Sequence, residues 1–368
     1  MKNNSFVLGM TIVLAGCSNA PVDKSFTVNG LFDSEYTGTV YLKQIQDQLV
    51  TIDSVKIEGG KTFQFKPDIE YTDDYQIRTS PYVGSANFIG QQGATFHLNF
   101  DVKNRNCQLT SELSPEQDII DRYKTMIAPY SKLAEENWKM YETVKQKNDI
   151  DSMKLLSDIG DSIFREEQRN IKDMITANRQ TYAAVALSHM MFLNKYPAIK
   201  EIYEMLDTVT HAKTYDMRQL KQKLQEAKAL WMEGQEAPLF TTRDMQGREV
   251  SLKQFRGKYV LLDFWASWCH SCRVKAKAIK AIYPELQQRG IVMFGVSMDD
   301  HEKAWQKASK EDQITWTNTC ELKRFDKNNI AQDYKVKQLP SLFLIGPDGT
   351  IVKQDPTLAY LLDLPIRE

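Results

Sequence analysis

Two cysteines three residues apart, Cys269 and Cys272, follow closely on the near-continuous apolar run Tyr259-Val260-Leu261-Leu262-Asp263-Phe264-Trp265. A run of that length and composition suits a central strand buried on both faces. From the cysteines to about Arg289 the pattern is helical, so the two thiols sit at a strand-to-helix joint. Strand and helix then keep alternating: a buried strand over Ile291 to Met298, a helix over His301 to Lys310, and a short strand over Trp316 to Thr319. A helix over Phe325 to Tyr334 and a strand over Ser341 to Ile345 follow, the latter turning through Gly346-Pro347-Asp348-Gly349 into Thr350 to Lys353. That alternation defines an α/β domain over 235–368, opened by the helix-breaking Gly234-Gln235-Glu236-Ala237-Pro238.

The joint matters chemically. A helix N-terminus carries unpaired N–H groups and a partial positive charge, which stabilise a thiolate and lower its pKa below the free value of ~8.5. Three residues of helix bring the second sulfur within disulfide reach of the first. The arrangement predicts thiol–disulfide exchange, with Cys269 exposed and attacking and Cys272 deeper and resolving. The two sulfurs carry the electrons, so no organic cofactor is expected. Half a zinc site is the rival reading, but it needs two further Cys or His ligands, and His301 and Cys320 are isolated. A purely structural bond would constrain little of the unfolded chain at this spacing.

The segment Leu261-Leu262-Asp263-Phe264-Trp265-Ala266-Ser267-Trp268-Cys269-x-x-Cys272 closely resembles the active-site segment of the thioredoxin superfamily. With Ala237-Pro238-Leu239-Phe240 and Leu252-x-x-Phe255-x-Gly257-Lys258, the stretch from 235 to about 355 resembles the TlpA/ResA-like branch, tethered extracytoplasmic thiol–disulfide oxidoreductases. The resemblance implies a thioredoxin fold, protein thiols and disulfides as substrates, and an upstream membrane or periplasmic redox partner. It implies a cis bond at Pro340 beside the cysteines, with the backbone of Leu339 pairing to an extended substrate peptide. Asp263 falls where thioredoxins keep a buried acid that takes the proton of the resolving thiol, here Cys272. Trp268 and Trp265 are expected to shape the surface around the pair, and His270 to lie beside the substrate. The chain also departs from the branch. His270-Ser271 stand between the cysteines where Gly-Pro is usual, and Lys275 and Lys277 replace an acid and a proline. Cations there favour thiolates and make a disulfide more oxidising. The PxxxTxxC pattern of peroxiredoxins is absent: Leu262 and Ala266 occupy its Pro and Thr positions.

The N-terminus differs from the rest. Phe6 to Ala15 is an apolar run too short to span a bilayer, which needs ~20 residues, and reads as a signal-peptide core. Leu14-Ala15-Gly16-Cys17 resembles a bacterial lipobox, which implies 1–17 as signal and lipobox, Cys17 as the lipid-bearing residue and a cell-envelope, periplasm-facing protein. A plain signal peptide with an incidental cysteine is the alternative. A net charge of −1 sets up no field for nucleic acid. Cys107 and Cys320 remain over and read as buried free thiols, a bond between them or a resolving role for Cys320 being the alternatives.

Residues 25–113 alternate as strands, among them Phe26 to Gly30, Thr39 to Leu42, Ile52 to Ile57 with a hairpin turn at Gly59-Gly60, Tyr75 to Ile77 and Thr95 to Phe100. They predict a small antiparallel sandwich or barrel. At Ser114-Pro115-Glu116-Gln117 the period changes to three and four, with Ser114 as N-cap and Gln117 three on, and 114–232 reads as all-helical. The expected architecture is multidomain: a β-rich N-terminal region, an all-α middle and a C-terminal α/β thioredoxin fold. In lipoproteins of the Bacteroidota that share this order, the N-terminal domain has no assigned function. A binding or scaffold lipoprotein, with the redox pair secondary, is the second functional reading.

Overall fold

A computed structural model describes residues 23–147 and 149–365; Cys17 and the apolar run before it lie outside the described residues. The chain forms two compact units, Met1–Leu224 and Gln225–Glu368. Among the described residues no helix is long and apolar enough to cross a membrane.

The first unit opens with β1 (Thr27–Ile45), β2 (Leu49–Phe65), β3 (Asp73–Ser80), β4 (Ser85–Gly90), β5 (Thr95–Asp101) and β6 (Asn106–Glu112). Phe26 to Gly30 and Thr39 to Leu42, expected as separate strands, fall together: Thr27 to Gly30 and Thr39 to Leu42 belong to the single strand β1, with Phe26 just before it. Gly30 does not end it. The Phe63 ring lies where a Cβ would stand, 2.0 Å away, so the glycine admits its cross-strand partner. Gly59-Gly60 is not the hairpin turn either. The register slips between Tyr36↔Gly60 and Gly38↔Ile57, and Gly59 has φ of +67°, so the pair forms a bulge inside β2. The turn falls instead between Ile45 and Leu49, which pair with each other.

β1 pairs with β2 along one edge; along the other it pairs with β5 in parallel through Thr27 to Phe32 and with β3 in antiparallel through Thr39 to Gln44. The six strands therefore make one sheet, order β4-β3-β1-β5-β6 with β2 on β1, rather than a purely antiparallel sandwich. Alternation reveals which face a side chain takes, not which strand lies alongside. Phe26, Phe32, Phe63, Phe88, Phe96 and Phe100 fill the core, largely in edge-to-face or tilted pairs.

The helices are α1 (Pro115–Gln146), α2 (Ile150–Ala177), α3 (Tyr182–Ser188), α4 (Tyr196–Met205) and α5 (Tyr215–Leu230). Ser114 makes no capping bond, and Gln117 forms no capping box. Gln117 Oε1 instead accepts from the Ile89 N–H at 3.0 Å, tying α1 to β4. Glu116 reaches α3, accepting from Tyr182 N and Ala183 N at 3.3 and 2.7 Å. The buried Tyr182 hydroxyl lies 2.9 Å from Asp73 Oδ1, 2.8 Å from Asp74 Oδ2 and 3.3 Å from Asp216 Oδ2. Burial first, and then mutual repulsion, raises the pKa of Asp74 well above the carboxylate range, and burial does the same to Asp216.

The second unit carries β7 (Thr241–Arg243), β8 (Glu249–Ser251), β9 (Tyr259–Trp265), α6 (His270–Gln288), β10 (Ile291–Ser297), α7 (Glu302–Glu311), β11 (Thr317–Cys320), α8 (Asn329–Asp333), β12 (Ser341–Ile345), β13 (Ile351–Gln354) and α9 (Leu358–Leu362). β7 and β8 form a hairpin; the other strands form one sheet, order β11-β10-β9-β12-β13. β9, β10 and β11 are parallel, while β12 runs antiparallel to β9. β9 is central, and every residue from Val260 to Trp265 is buried, as its apolar run requires. The helix expected over Phe325 to Tyr334 is broken: a 3-10 turn at Phe325–Lys327 is followed by α8, because the Asn328 side chain turns to accept from Ala331 N and caps a new helix.

Candidate active site

β9 ends at Trp265, and Ala266-Ser267-Trp268 lead into α6. Cys269 is the N-cap of α6, its backbone extended and its Sγ accepting from the Cys272 N–H at 3.2 Å. A sulfur in a cap position takes up one of the orphan amides of the first helical turn, which is the contact that favours a thiolate there. The first turn holds no acidic residue to oppose it. Cys269 and Cys272 are joined by a disulfide, with Cα atoms 5.3 Å apart. Cys269 is not exposed as expected. It is 7% accessible and Cys272 1%, since the bond turns both sulfurs against the helix and core. Cys269 is still the more accessible of the two.

Asp263, on β9, is 4% accessible. Burial pushes its carboxyl up to about 7, against a partial lowering by the charge of Lys275. Lys275 is half-buried and Lys277 exposed. The Lys275 charge thus bears on Asp263, a role the sequence reading had not assigned to it. Arg273, also missed, has its guanidinium committed to Asp312 at 2.8 and 2.9 Å and to Glu311 at 2.8 Å.

Pro340 is distant in sequence but not in space. Ser341 pairs with Phe264 and Leu342 with Asp263, which sets Leu339-Pro340 at the end of β9 from which the cysteine loop departs. The Leu339–Pro340 bond is cis. Leu339 is partly buried against the apolar cluster that contains both cysteines. Trp268 is 62% accessible, and His270 is also exposed, so both present themselves beside the pair.

Cys320 is buried and free; its Sγ–H donates to the Asp299 carbonyl at 3.1 Å, and burial pushes its thiol up to about 11. Cys107 is free but only half-buried, with its thiol pushed up to about 12 by desolvation. Neither is primed as a nucleophile. Among the described residues no group of three or more His, Cys, Asp or Glu side chains is placed to hold a metal ion.

The parallel–antiparallel sheet with a disulfide at the N-terminus of α6 defines the class: an oxidoreductase of the thioredoxin fold. Residues 233–354 match the AhpC/TSA family, and residues 26–119 match a domain of unknown function, DUF4369. The thiol-disulfide oxidoreductase ResA of Bacillus thuringiensis subsp. konkukian is 30% identical over 122 residues, covering 33% of this chain and 68% of that protein. The thioredoxin-like protein YneN of Bacillus subtilis is 32% identical over 119 residues, with 32% and 68% covered. Among solved structures, the thioredoxin domain of a thiol-disulfide oxidoreductase from Bacteroides vulgatus is 33% identical, covering 36% of this chain and 94% of that one at a TM-score of 0.34. The chain belongs to the ResA family of thiol-disulfide oxidoreductases.

Proposed function

We propose that the protein exchanges disulfides with protein substrates through Cys269 and Cys272 outside the cytoplasm, anchored by lipid at Cys17. The observation that carries the chemistry is the Cys269 sulfur at the N-cap of α6, held by the Cys272 amide at 3.2 Å.

In the reducing direction the Cys269 thiolate attacks one sulfur of a substrate disulfide. That S–S bond breaks, the other substrate sulfur leaves as a thiolate and takes a proton from solvent, and a mixed disulfide joins Cys269 to the substrate. Cys272 passes its proton to the Asp263 carboxylate and attacks Cys269 Sγ. The mixed bond breaks, the second substrate sulfur departs as a thiolate to be protonated in its turn, and the Cys269–Cys272 bond forms. Two electrons pass from the pair to the substrate. An upstream dithiol partner, membrane-bound or periplasmic, restores them; the oxidising direction runs the same steps backward. Leu339 and Pro340 flank the substrate peptide, with Trp268 and His270 on the approach.

In this reading the chain has a lipoprotein signal at 1–17, a β-rich domain at 25–113, a helical region at 114–232 and the exchange domain at 235–368. Cys272→Ala should trap substrates as mixed disulfides on Cys269, released by dithiothreitol and identified by mass spectrometry; Cys269→Ser should trap none. Equal trapping by both variants would overturn the assignment. Metabolic labelling with palmitate, lost in Cys17→Ala, tests the anchor.

A binding lipoprotein is the second reading. A cavity of about 360 Å³ in the first unit, lined by Ile45, Phe88, Ile120, Leu187, His189 and Asp216, favours it. Insulin reduction that depends on Cys269 separates the two: its absence from a protein with an intact pair supports the binding role.

A further inference from the structure

We infer that Asp299 is a positioning residue for the exchange reaction: it clamps the Ser267 loop so that Cys269 is presented at the N-cap of α6. The inference rests on the exchange chemistry proposed above for Cys269 and Cys272.

Asp299 follows β10 and is 2% accessible. Both of its carboxyl oxygens grip Ser267, two residues before Cys269. Ser267 N–H donates to Oδ2 at 2.9 Å, and the Ser267 hydroxyl donates to Oδ1 at 2.5 Å. Ser297 O–H adds a third donor, on Oδ2 at 2.6 Å. Three donors converge on one buried carboxyl, so both of its oxygens serve as acceptors. The clamp itself is held rigid. The Asp299 N–H donates to Ser297 Oγ at 3.1 Å, its carbonyl accepts from Cys320 Sγ at 3.1 Å, and Met298 N–H next to it donates to the Trp265 carbonyl at 2.8 Å. The side chain therefore meets the loop from a backbone fixed on both sides.

The loop has one further internal tie toward the cysteine, Cys269 N–H donating to the Ala266 carbonyl at 3.1 Å. Without Asp299, the half-buried Ser267 amide loses its acceptor and Ala266–Trp268 can shift. Such a shift moves Cys269 Sγ off the Cys272 amide, which lies 3.2 Å from it. The attacking sulfur then loses both its placement and part of its thiolate stabilisation. Asp299 touches neither sulfur and no substrate, so its effect passes through Ser267.

The test uses the full chain, with Asp299→Ala, Asp299→Asn and Ser267→Ala each melted to confirm folding. Two readouts separate positioning from bulk stability: the pH midpoint of iodoacetamide alkylation of the reduced pair, and kcat against KM for insulin reduction. Asp299→Ala should raise the midpoint and lower kcat by about ten- to a hundredfold, as a misplaced reacting group does, with KM within about twofold. Asp299→Asn, which keeps one acceptor oxygen, should recover part of both. If Asp299→Ala fails to fold, Ser267→Ala carries the test, since it deletes one hydroxyl and should move the midpoint in the same direction. Folded variants with the wild-type midpoint and kcat overturn the inference. If wild type shows no Cys269-dependent turnover, the exchange proposal fails, and the alkylation midpoint still reads the clamp.

Discussion

Lys275 lies one helical turn beyond Cys272, and its positive charge bears on the buried carboxyl of Asp263, partly offsetting the desolvation that lifts that group to about 7. The residue that departs from the family pattern thus acts on the carboxyl proposed as the proton acceptor. Lys275→Ala should move the Asp263 midpoint above 7, and Lys275→Glu should move it further. The pH profile of mixed-disulfide resolution reads this directly: its rising limb should shift alkaline in both variants. A profile unmoved by either substitution separates Lys275 from Asp263.

Asp263 itself links stability to pH. Its folded pKa is raised, so the folded state holds a proton that the unfolded chain releases near ~3.9. The contribution is fully present below ~pH 4 and is lost as pH rises through about 7. Asp263→Asn should therefore unfold at higher urea than wild type at pH 8, by up to about 4 kcal/mol, with the gap closing toward pH 4. Resolution of the mixed disulfide should slow by roughly 10²-fold in the same variant, the range for losing a general base. Greater stability of wild type at pH 8 would contradict the linkage.

The poise of the disulfide turns on fewer charges than the residue types suggest. Arg273 is committed to Asp312 and Glu311, and the Lys275 charge bears on Asp263. His270, exposed beside Cys269, remains as the residue that favours the thiolate when protonated. Equilibration in glutathione buffers should give a potential above the ~−270 mV of thioredoxin, and His270→Ala should lower it by about 10–30 mV. A potential near that of thioredoxin, or one indifferent to His270, would overturn this expectation.

In the first unit, the Tyr182 hydroxyl lies within hydrogen-bond distance of three carboxyls, two buried and one half-buried, but has one proton to donate. Tyr182→Phe removes that donor and should cost about 1–3 kcal/mol, the penalty for unpairing a buried polar group. Because the carboxyls of Asp74 and Asp216 are raised, their contribution is complete below the ordinary carboxylate range and falls as pH climbs above it. Asp74→Asn should accordingly raise the melting temperature at pH 8 relative to pH 5. A melt with the same pH dependence in wild type and Asp74→Asn would exclude the carboxyl pair as its source.

Local pattern carried much of the second unit. The apolar run of β9, the helix after Cys269 and the alternation beyond it were legible because a strand buried on both faces and a helix dock with distinct periods, 2 and 3.6. Cys269 and Cys272 were legible because their chemistry needs only a short spacing and a helix start. Pro340 and Asp263 were reached through resemblance, since nothing local says that Ser341 pairs with Phe264.

What the sequence by itself determined was the kind of element at each stretch and the presence of an exchangeable cysteine pair. Tertiary structure alone decided which strands lie side by side, as in the parallel β1–β5 pairing, and that Gly59-Gly60 bulges rather than turns. It alone turned Gln117 from a cap into a bridge, set the Lys275 charge on Asp263, and brought Asp299 to Ser267 from thirty-two residues away. The reason is physical. Propensity and periodicity act over a few neighbouring residues, whereas pairing register, burial and the field at a carboxyl depend on groups that meet only when the chain has folded.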